Sequence, residues 1–297
     1  ISGTKVIKLD ETIDIPESKS GVLLIDGSSS LDTVIFDGTD KTFTGFYLKS
    51  AHVVAFKKVN FRNFGKALEN YTSRLNIYDC EFTGNKVGVY LGYYSNEIDG
   101  CVFGSNEKGL HIESNAAKIT NCKFGLSKDE QITMKNGIAV HLTSWGNITL
   151  FENNVLTCYN VGMKFESETF ISNPISSCFF GVNTKCQLVD PEDWGRQGTA
   201  IEYDSGKRNF SVDKCIFGCS KMAISFYQYE SSLSGATRIK ITNSNFGVSP
   251  TFDNIRNNYD IIFYNTNNIN DLTVSNCTFG YTEYETLSIG SCENLTI

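Results

Sequence analysis

The sequence predicts an all-β protein in which about ten coils of short parallel strands stack into one solenoid. Three observations support this prediction. An apolar residue followed by Cys-x-Phe recurs along the chain, and a small residue followed by apolar-x-apolar comes after each copy. Both motifs are short runs of period-two alternation, which is typical of half-buried strands and not of helices. Only 4 prolines occur in the 297 residues, so few positions would interrupt such strands.

The first motif sets the length of one coil. It recurs every 21 residues as Ile77/Cys80/Phe82, Ile98/Cys101/Phe103 and Ile119/Cys122/Phe124. We assign later copies to Leu150/Asn153/Val155, Ile175/Cys178/Phe180, Val212/Cys215/Phe217, Ile241/Ser244/Phe246 and Val274/Cys277/Phe279, and earlier ones to Phe36 and Phe61. Since no unit of this size can bury its own apolar face, stacked units are expected to share internal columns of Cys, Phe and aliphatic side chains, about 4.8 Å apart.

These motifs resemble the right-handed parallel β-helix proteins, a group that includes pectate lyases, polygalacturonases, phage tailspikes and surface adhesins. The resemblance extends from Lys5 to Ile297 and implies a single domain over 1–297, with an N-terminal coil at 1–35 and repeated coils at 36–297. Insertions are expected near 125–136, 184–197, 228–237 and 247–258. Because Asn294–Ile297 reads like the start of another coil, we expect a module of a longer protein.

The cysteines favour buried thiols. Six of the ten take the same motif position (Cys80, Cys101, Cys122, Cys178, Cys215 and Cys277), where Asn153 and Ser244 substitute, which indicates a small buried side chain. Disulfides between neighbouring coils remain an alternative, because stacked positions lie within bridging distance. No Cys-x-x-Cys pair occurs, and we predict no metal site at the cysteines.

Charge and hydropathy exclude two classes of partner. The net charge is -7, with 26 basic and 33 acidic residues, so a nucleic-acid backbone lacks the positive surface that it requires. Apolar runs are far shorter than the roughly 18 residues of a membrane span. Five Asn-x-Ser/Thr triplets, at Asn70, Asn147, Asn209, Asn276 and Asn294, are compatible with an extracellular or cell-surface location.

The candidate site lies on the outward positions of the second motif. One column is predicted to contain Tyr47, Glu69, Tyr90, His111, Ala139, Lys164, Glu202, Ser225, Ile262 and Ser288. A second column, two residues further on, contains Lys49, Tyr71, Gly92, Glu113, His141, Glu166, Asp204, Tyr227, Tyr264 and Gly290. The loop insertions are expected to wall a groove over this face, with Trp194 and Tyr229 at its rim.

Two interpretations of this face are open. As a polysaccharide site, it would bind sugar through His111, Tyr90, Trp194, Tyr227, Tyr229 and Tyr264. Catalysis would then fall to Glu113, His141, Lys164, Glu166, Glu202 or Asp204, as a carboxylate pair or as a base beside a cation. We predict no cofactor, although Ca²⁺ held by Glu166 and Asp204 would be one such cation. Alternatively, the charged rows are solvated ladders that pair across strands.

The resemblance to the family's enzymes is incomplete. Polygalacturonases resemble one another in four short motifs, of which only Arg238-Ile239-Lys240 has a counterpart here, and no outward Arg matches the strand-borne base of pectate lyases. The leading hypothesis is therefore a noncatalytic extracellular module of a larger surface, scaffold or adhesion protein that binds carbohydrate or a partner protein. The alternatives are a polysaccharide lyase or glycoside hydrolase, and a protein-docking or spacer unit.

Overall fold

The computed structural model describes residues 3–297 except 18–20, 30–32, 41, 50–52, 72, 114–115, 167, 190–196, 205–208, 228–236, 265–268 and 290–291. The described strands are β1 Thr4–Lys8, β2 Ile13–Ile15, β3 Val22–Asp26, β4 Thr33–Asp37, β5 Thr44–Leu48, β6 Val53–Lys57, β7 Val59–Arg62, β8 Lys66–Asn70, β9 Arg74–Tyr78, β10 Glu81–Thr83, β11 Val87–Leu91, β12 Ser95–Asp99, β13 Val102–Gly104, β14 Lys108–Glu113, β15 Ala116–Thr120, β16 Lys123–Phe124, β17 Asn136–Thr143, β18 Asn147–Glu152, β19 Val155–Leu156, β20 Cys158–Phe165, β21 Phe170–Ile171, β22 Ile175–Ser176, β23 Phe179–Phe180, β24 Gln197–Tyr203, β25 Phe210–Asp213, β26 Ile216–Phe217, β27 Ser220–Tyr227, β28 Thr237–Thr242, β29 Asn245–Phe246, β30 Tyr259–Tyr264, β31 Ile269–Ser275, β32 Thr278–Phe279, β33 Glu285–Ser288 and β34 Cys292–Thr296.

The strands form three parallel sheets, and each coil contributes one strand to each sheet. The first sheet has the order β1-β4-β7-β10-β13-β16-β19-β23-β26-β29-β32. The second is β2-β5-β8-β11-β14-β17-β20-β24-β27-β30-β33, and the third is β3-β6-β9-β12-β15-β18-β22-β25-β28-β31-β34, with β21 pairing beside β18. This architecture confirms the predicted solenoid.

The aromatic anchors form the predicted internal column. Ring centroids of Phe61 and Phe82, and of Phe82 and Phe103, lie 5.0 Å apart, and those of Phe103 and Phe124 lie 4.8 Å apart. The rings are nearly parallel and fully buried. Stacking at the strand spacing therefore places one aromatic layer on the next through the core.

One predicted frame is wrong by a residue. Phe151, Asn154 and Leu156, and not Leu150, Asn153 and Val155, align with the previous coil. The pairing of β15 with β18 shifts by one residue after Ala117, so one extra residue enters this coil. Asn153 instead adopts φ 56, the left-handed turn conformation that precedes the column position in other coils.

All ten cysteines are free thiols. In the six column positions each Sγ lies within hydrogen-bonding distance of the carbonyl oxygen two residues earlier, as at Cys122, where Sγ is 3.1 Å from the Thr120 oxygen. Burial raises the pKa of the Cys80, Cys101 and Cys178 thiols well above the usual range. This arrangement agrees with the buried-thiol interpretation.

A buried asparagine column was not predicted. The Asn106 Oδ1 accepts hydrogen bonds from the backbone N and Nδ2 of Asn85, at 2.9 and 3.0 Å. Its Nδ2 donates to the Phe82 carbonyl at 2.9 Å and to Asn136 Oδ1 at 3.0 Å. These bonds satisfy the backbone where these three coils turn from the first sheet to the second.

The described insertions pack on the first sheet, not over the second. In the 125–136 loop Met134 covers Gly104 of β13, and Glu130 binds Lys123 of β16 at 2.9 Å. From the 247–258 loop, Ile255 joins an apolar cluster with Val182, Ile216 and Cys219 that is separate from the main core. The expected loop-walled groove therefore does not form from these two loops, because Met134 and Ile255 pack on outward positions of the first sheet.

Candidate functional site

The predicted site residues lie on the outer face of the second sheet, which we call the second-sheet face. Strand register aligns nine of the ten predicted first-column residues. In the remaining place, predicted for Ala139, the structure has His141. In chain order the column is Tyr47, Glu69, Tyr90, His111, His141, Lys164, Glu202, Ser225, Ile262 and Ser288.

The position of His141 differs from the prediction. His141 pairs with His111 and belongs to the first column, whereas Ala139 is fully buried. Thr143 takes the place above Glu113 in the second column. A slip of two residues leaves the inward and outward sets of a strand unchanged, so the apolar pattern could not exclude it.

The two histidines stack, and burial favours the neutral form of both. Their ring centroids lie 5.1 Å apart, His111 Nε2 is 3.0 Å from Thr143 Oγ1, and His141 Nε2 is 2.7 Å from Glu166 Oε1. Burial, reinforced by Lys108, His141 and Lys66, lowers the pKa of His111 to about 3. Burial also lowers the pKa of His141, although Glu166 opposes the shift.

A single tautomer of His141 follows from these contacts. Because the Glu166 carboxylate only accepts, the neutral His141 ring donates from Nε2 and leaves Nδ1 as an acceptor. That Nδ1 is buried and has no hydrogen-bond partner among the described residues.

Acidic residues crowd the next two coils. Lys164 Nζ lies 3.2 Å from Glu202 Oε1. Burial raises the pKa of Asp204 to about 6, and Glu202 and Glu166 add to the shift while Lys164 opposes it. Asp204 can therefore carry a proton closer to neutral pH than an ordinary aspartate.

The tyrosine rows flank this centre, as predicted, but differ in access. Tyr90 is 7% exposed and its hydroxyl donates to Glu113. Burial, followed by the contact with Glu113, raises the pKa of Tyr90. At the other end, Tyr227 and Tyr264 stack with centroids 4.9 Å apart, and Tyr264 is 38% exposed. Tyr264 can therefore contact a ligand, whereas Tyr90 serves to hold Glu113. Trp194 and Tyr229 lie outside the described residues.

Three exposed aromatic residues in the turns between the second and third sheets were not predicted. Tyr93, Tyr94 and Trp145 are 57%, 59% and 58% exposed in the turns between the second and third sheets. Large aromatic residues in otherwise polar turns are the sequence signal for this group, and a pattern of strand columns does not extend to turns.

Comparison with known proteins agrees with the three-sheet coil. The family model for the right-handed β-helix region matches residues 11–144 and 68–246. The chain belongs to the right-handed β-helix family. No curated protein matches this β-helix chain.

Two further properties of the β-helix concern membranes and metals. The described segments include no helix with the length and apolar character required to cross a membrane. Among the described residues, no three His, Cys, Asp or Glu side chains cluster as metal ligands. A Ca²⁺ ion at Glu166 and Asp204 would therefore need further oxygen ligands from water or from its bound partner.

Proposed function

We propose that this β-helix chain is a noncatalytic extracellular module of a larger surface or adhesion protein, and that it binds carbohydrate through the second-sheet face. One observation carries the proposal: several polar and charged groups of the face bind one another. Lys66 pairs with Glu69 and Lys164 with Glu202, and the neutral His141 donates a hydrogen bond to Glu166. The Tyr90 hydroxyl donates to Glu113.

This pairing favours binding over catalysis. General acid–base chemistry requires groups that are free to exchange protons with the substrate, and the carboxylates of Glu69, Glu166 and Glu202 are each held by a neighbouring side chain. The same row presents fixed hydroxyl, carboxylate and amine groups to sugar hydroxyls, and Tyr264 offers a partly exposed ring to the apolar side of a sugar.

The test combines binding with turnover. The chain would be incubated on a glycan array and, separately, with plant, algal and microbial polysaccharides, followed by assays for reducing ends and unsaturated uronates. We expect glycan binding without product. Tyr264→Ala should weaken binding, whereas Phe252→Ala, which alters an exposed ring on the first-sheet side, should not. Product release, or binding that is confined to a protein partner, would overturn the proposal.

Asp204 supports a second candidate, a polysaccharide hydrolase or lyase. A carboxyl group with a pKa of about 6 has the property of a general acid near neutral pH, and Glu202 and Glu166 lie close enough to raise it. If product appears, Asp204→Asn should abolish its release while glycan binding persists. Full activity in Asp204→Asn would exclude Asp204 as the acid.

A further inference from the structure

The turn from the third sheet to the first keeps one conformation in successive coils. Its central residue has a φ between 51 and 65 at Lys58, Asp79, Gly100, Asn121, Asn153, Ser177, Lys214, Asn243 and Asn276. Asparagine tolerates this left-handed conformation better than most residues that have a side chain. All four asparagines of the turn are exposed, so they form a row of amides along one corner of the solenoid.

Two of these amides are held by an aspartate. Asn121 Nδ2 donates to Asp99 Oδ1 at 2.6 Å, and Asn243 Nδ2 donates to Asp213 Oδ1 at 2.6 Å. In both cases the aspartate is the last residue of the third-sheet strand in the preceding coil. These side chains therefore serve to tie one coil to the next.

The amide of Asn276 is not held in this way. The third-sheet strand of the preceding coil ends at Thr242 instead of an aspartate, and the Thr242 hydroxyl already donates to Asp213 at 2.7 Å. The Asn276 side chain forms no hydrogen bond with a residue that the structure describes. Its Nδ2 is therefore open to solvent and contributes no contact to the fold.

The sequence adds a second requirement that only this turn meets. Asn276 is followed by Cys277 and Thr278, which completes the Asn-x-Ser/Thr pattern of N-glycosylation. Asn153 also has no side-chain hydrogen bond with a described residue, but it lacks the hydroxyl two positions later. In the other three turns that position is taken by Lys123, Val155 and Asn245.

Asn70 is the opposite case. It carries the same pattern but is fully buried, and its Nδ2 donates to the Ser73 carbonyl at 2.7 Å and to Asn96 Oδ1 at 2.9 Å. A glycan on this nitrogen would displace these bonds and place a large polar group inside the solenoid. A chain that is modified at Asn70 is therefore not expected to reach this fold.

We propose that Asn276 is an acceptor site for an N-linked oligosaccharide at the corner between the third and first sheets. The Asn276 Nδ2 gives up one proton and bonds to the anomeric carbon of an oligosaccharide donor, whose lipid diphosphate leaves. This turn borders neither edge of the second sheet, so the glycan leaves the second-sheet face open. In its own cell the modification rests on the extracellular route proposed above, but not on carbohydrate binding.

Secretion from a mammalian cell line tests the site, because a fused signal peptide supplies the route. The secreted whole chain would be treated with peptide N-glycosidase F in heavy-oxygen water, which converts each glycosylated asparagine to a labelled aspartate. Peptide mass spectrometry then assigns each label to its position. We expect Asn276 to be modified in most secreted molecules and Asn70 in none. An unmodified Asn276, or a folded secreted chain that is modified at Asn70, would refute the proposal.

Variants separate the turn from the sequence pattern. Thr278→Val should abolish the modification at Asn276, whereas Thr278→Ser should retain it. Val155→Thr gives Asn153 the same pattern in the same turn, so one new glycan is expected there. Circular dichroism verifies that each secreted variant is folded. A glycan that persists at Asn276 in Thr278→Val, or folded Val155→Thr without a glycan at Asn153, would argue against this turn as the acceptor.

Discussion

His141 and Glu166 connect the histidine pair to the acidic side chains of the next coils, with Nε2 and Oε1 2.7 Å apart across adjacent coils. The carboxylate fixes the tautomer of His141, and His141 in turn stacks on His111. A proton added to either histidine would therefore disturb both the ring stacking and the contact with Glu166.

Acid should destabilise the chain through His111. Its pKa is about 3 in the folded state against an ordinary 6.5, because of burial and the nearby Lys108, His141 and Lys66. Between about pH 3 and pH 6.5 the unfolded chain therefore binds a proton at His111 and the folded chain does not. The stabilisation that comes from the neutral folded histidine is complete above about pH 6.5 and is lost as the pH falls towards about 3. Thermal unfolding of His111→Gln should show a smaller loss between about pH 7 and pH 4 than wild type. Parallel curves would contradict the assignment.

Asp204 should change the stability with pH in the direction opposite to His111. Its pKa is about 6 when folded and 3.8 ordinarily, owing to burial, Glu202 and Glu166. The folded state holds the proton more tightly, so stability from this group is present below about pH 4 and is lost as the pH rises through about 6.

Asp204→Asn should therefore raise the unfolding midpoint at about pH 8 and change it little at about pH 4. Asp253→Asn is a control of opposite sign, because hydrogen bonds from Thr251 and Ser249 lower the pKa of Asp253. Carbon-13 NMR titration of the Asp204 carboxyl group gives the pKa directly, and a value near 4 would disprove the crowding argument.

The aromatic column should dominate core stability. Phe103 is fully buried between Phe82 and Phe124. Phe103→Ala should lower the free energy of unfolding by about 3–5 kcal/mol, since the fixed coil spacing prevents collapse of the cavity. The exposed Phe252→Ala should change it by less than about 0.5 kcal/mol. Denaturant unfolding measures both, and similar values for the two variants would count against a continuous column.

Asn106 should contribute as much to the free energy of unfolding as an apolar core residue. Replacement by Ala removes the acceptor of the Asn85 backbone N and a donor to the Phe82 carbonyl. Each buried group that is left unpaired costs about 1–3 kcal/mol. Asn173→Ala serves as the comparison. Its exposed side chain also donates to a backbone carbonyl, that of Thr149, but water can replace that bond, so the loss should be below about 1 kcal/mol in the same denaturant experiment.

The thiols should be reduced and protected. Alkylation in denaturant without reductant should label all ten cysteines, and each disulfide would lower that number by two. In the native protein only the half-buried Cys186, Cys277 and Cys292 should react on a short time scale. Mass spectrometry that finds native labelling of Cys101 or Cys122 would disprove their burial.

The repeats predict much of the site. Wherever a coil keeps its simple length, as from Phe82 to Phe124, the motif aligns correctly with its neighbours and places Tyr90 beside His111. Prediction failed where a coil gains residues, at Asn153 and at His141, because an extra residue can enter at several places. It also missed Tyr93, Tyr94 and Trp145, which lie in turns that have no alternation to follow.

By itself, the sequence determined that coils stack, which side chains enter the core, and which residues share the outer face of the second sheet, because alternation and recurrence are local properties of the chain. Only the tertiary structure decided the register after an insertion, the sheet on which loops pack, and the pairing of Glu166 with His141 and of Glu202 with Lys164. Those outcomes depend on distances between side chains from different coils. A period-two pattern is unchanged by a slip of two residues, so it cannot specify them.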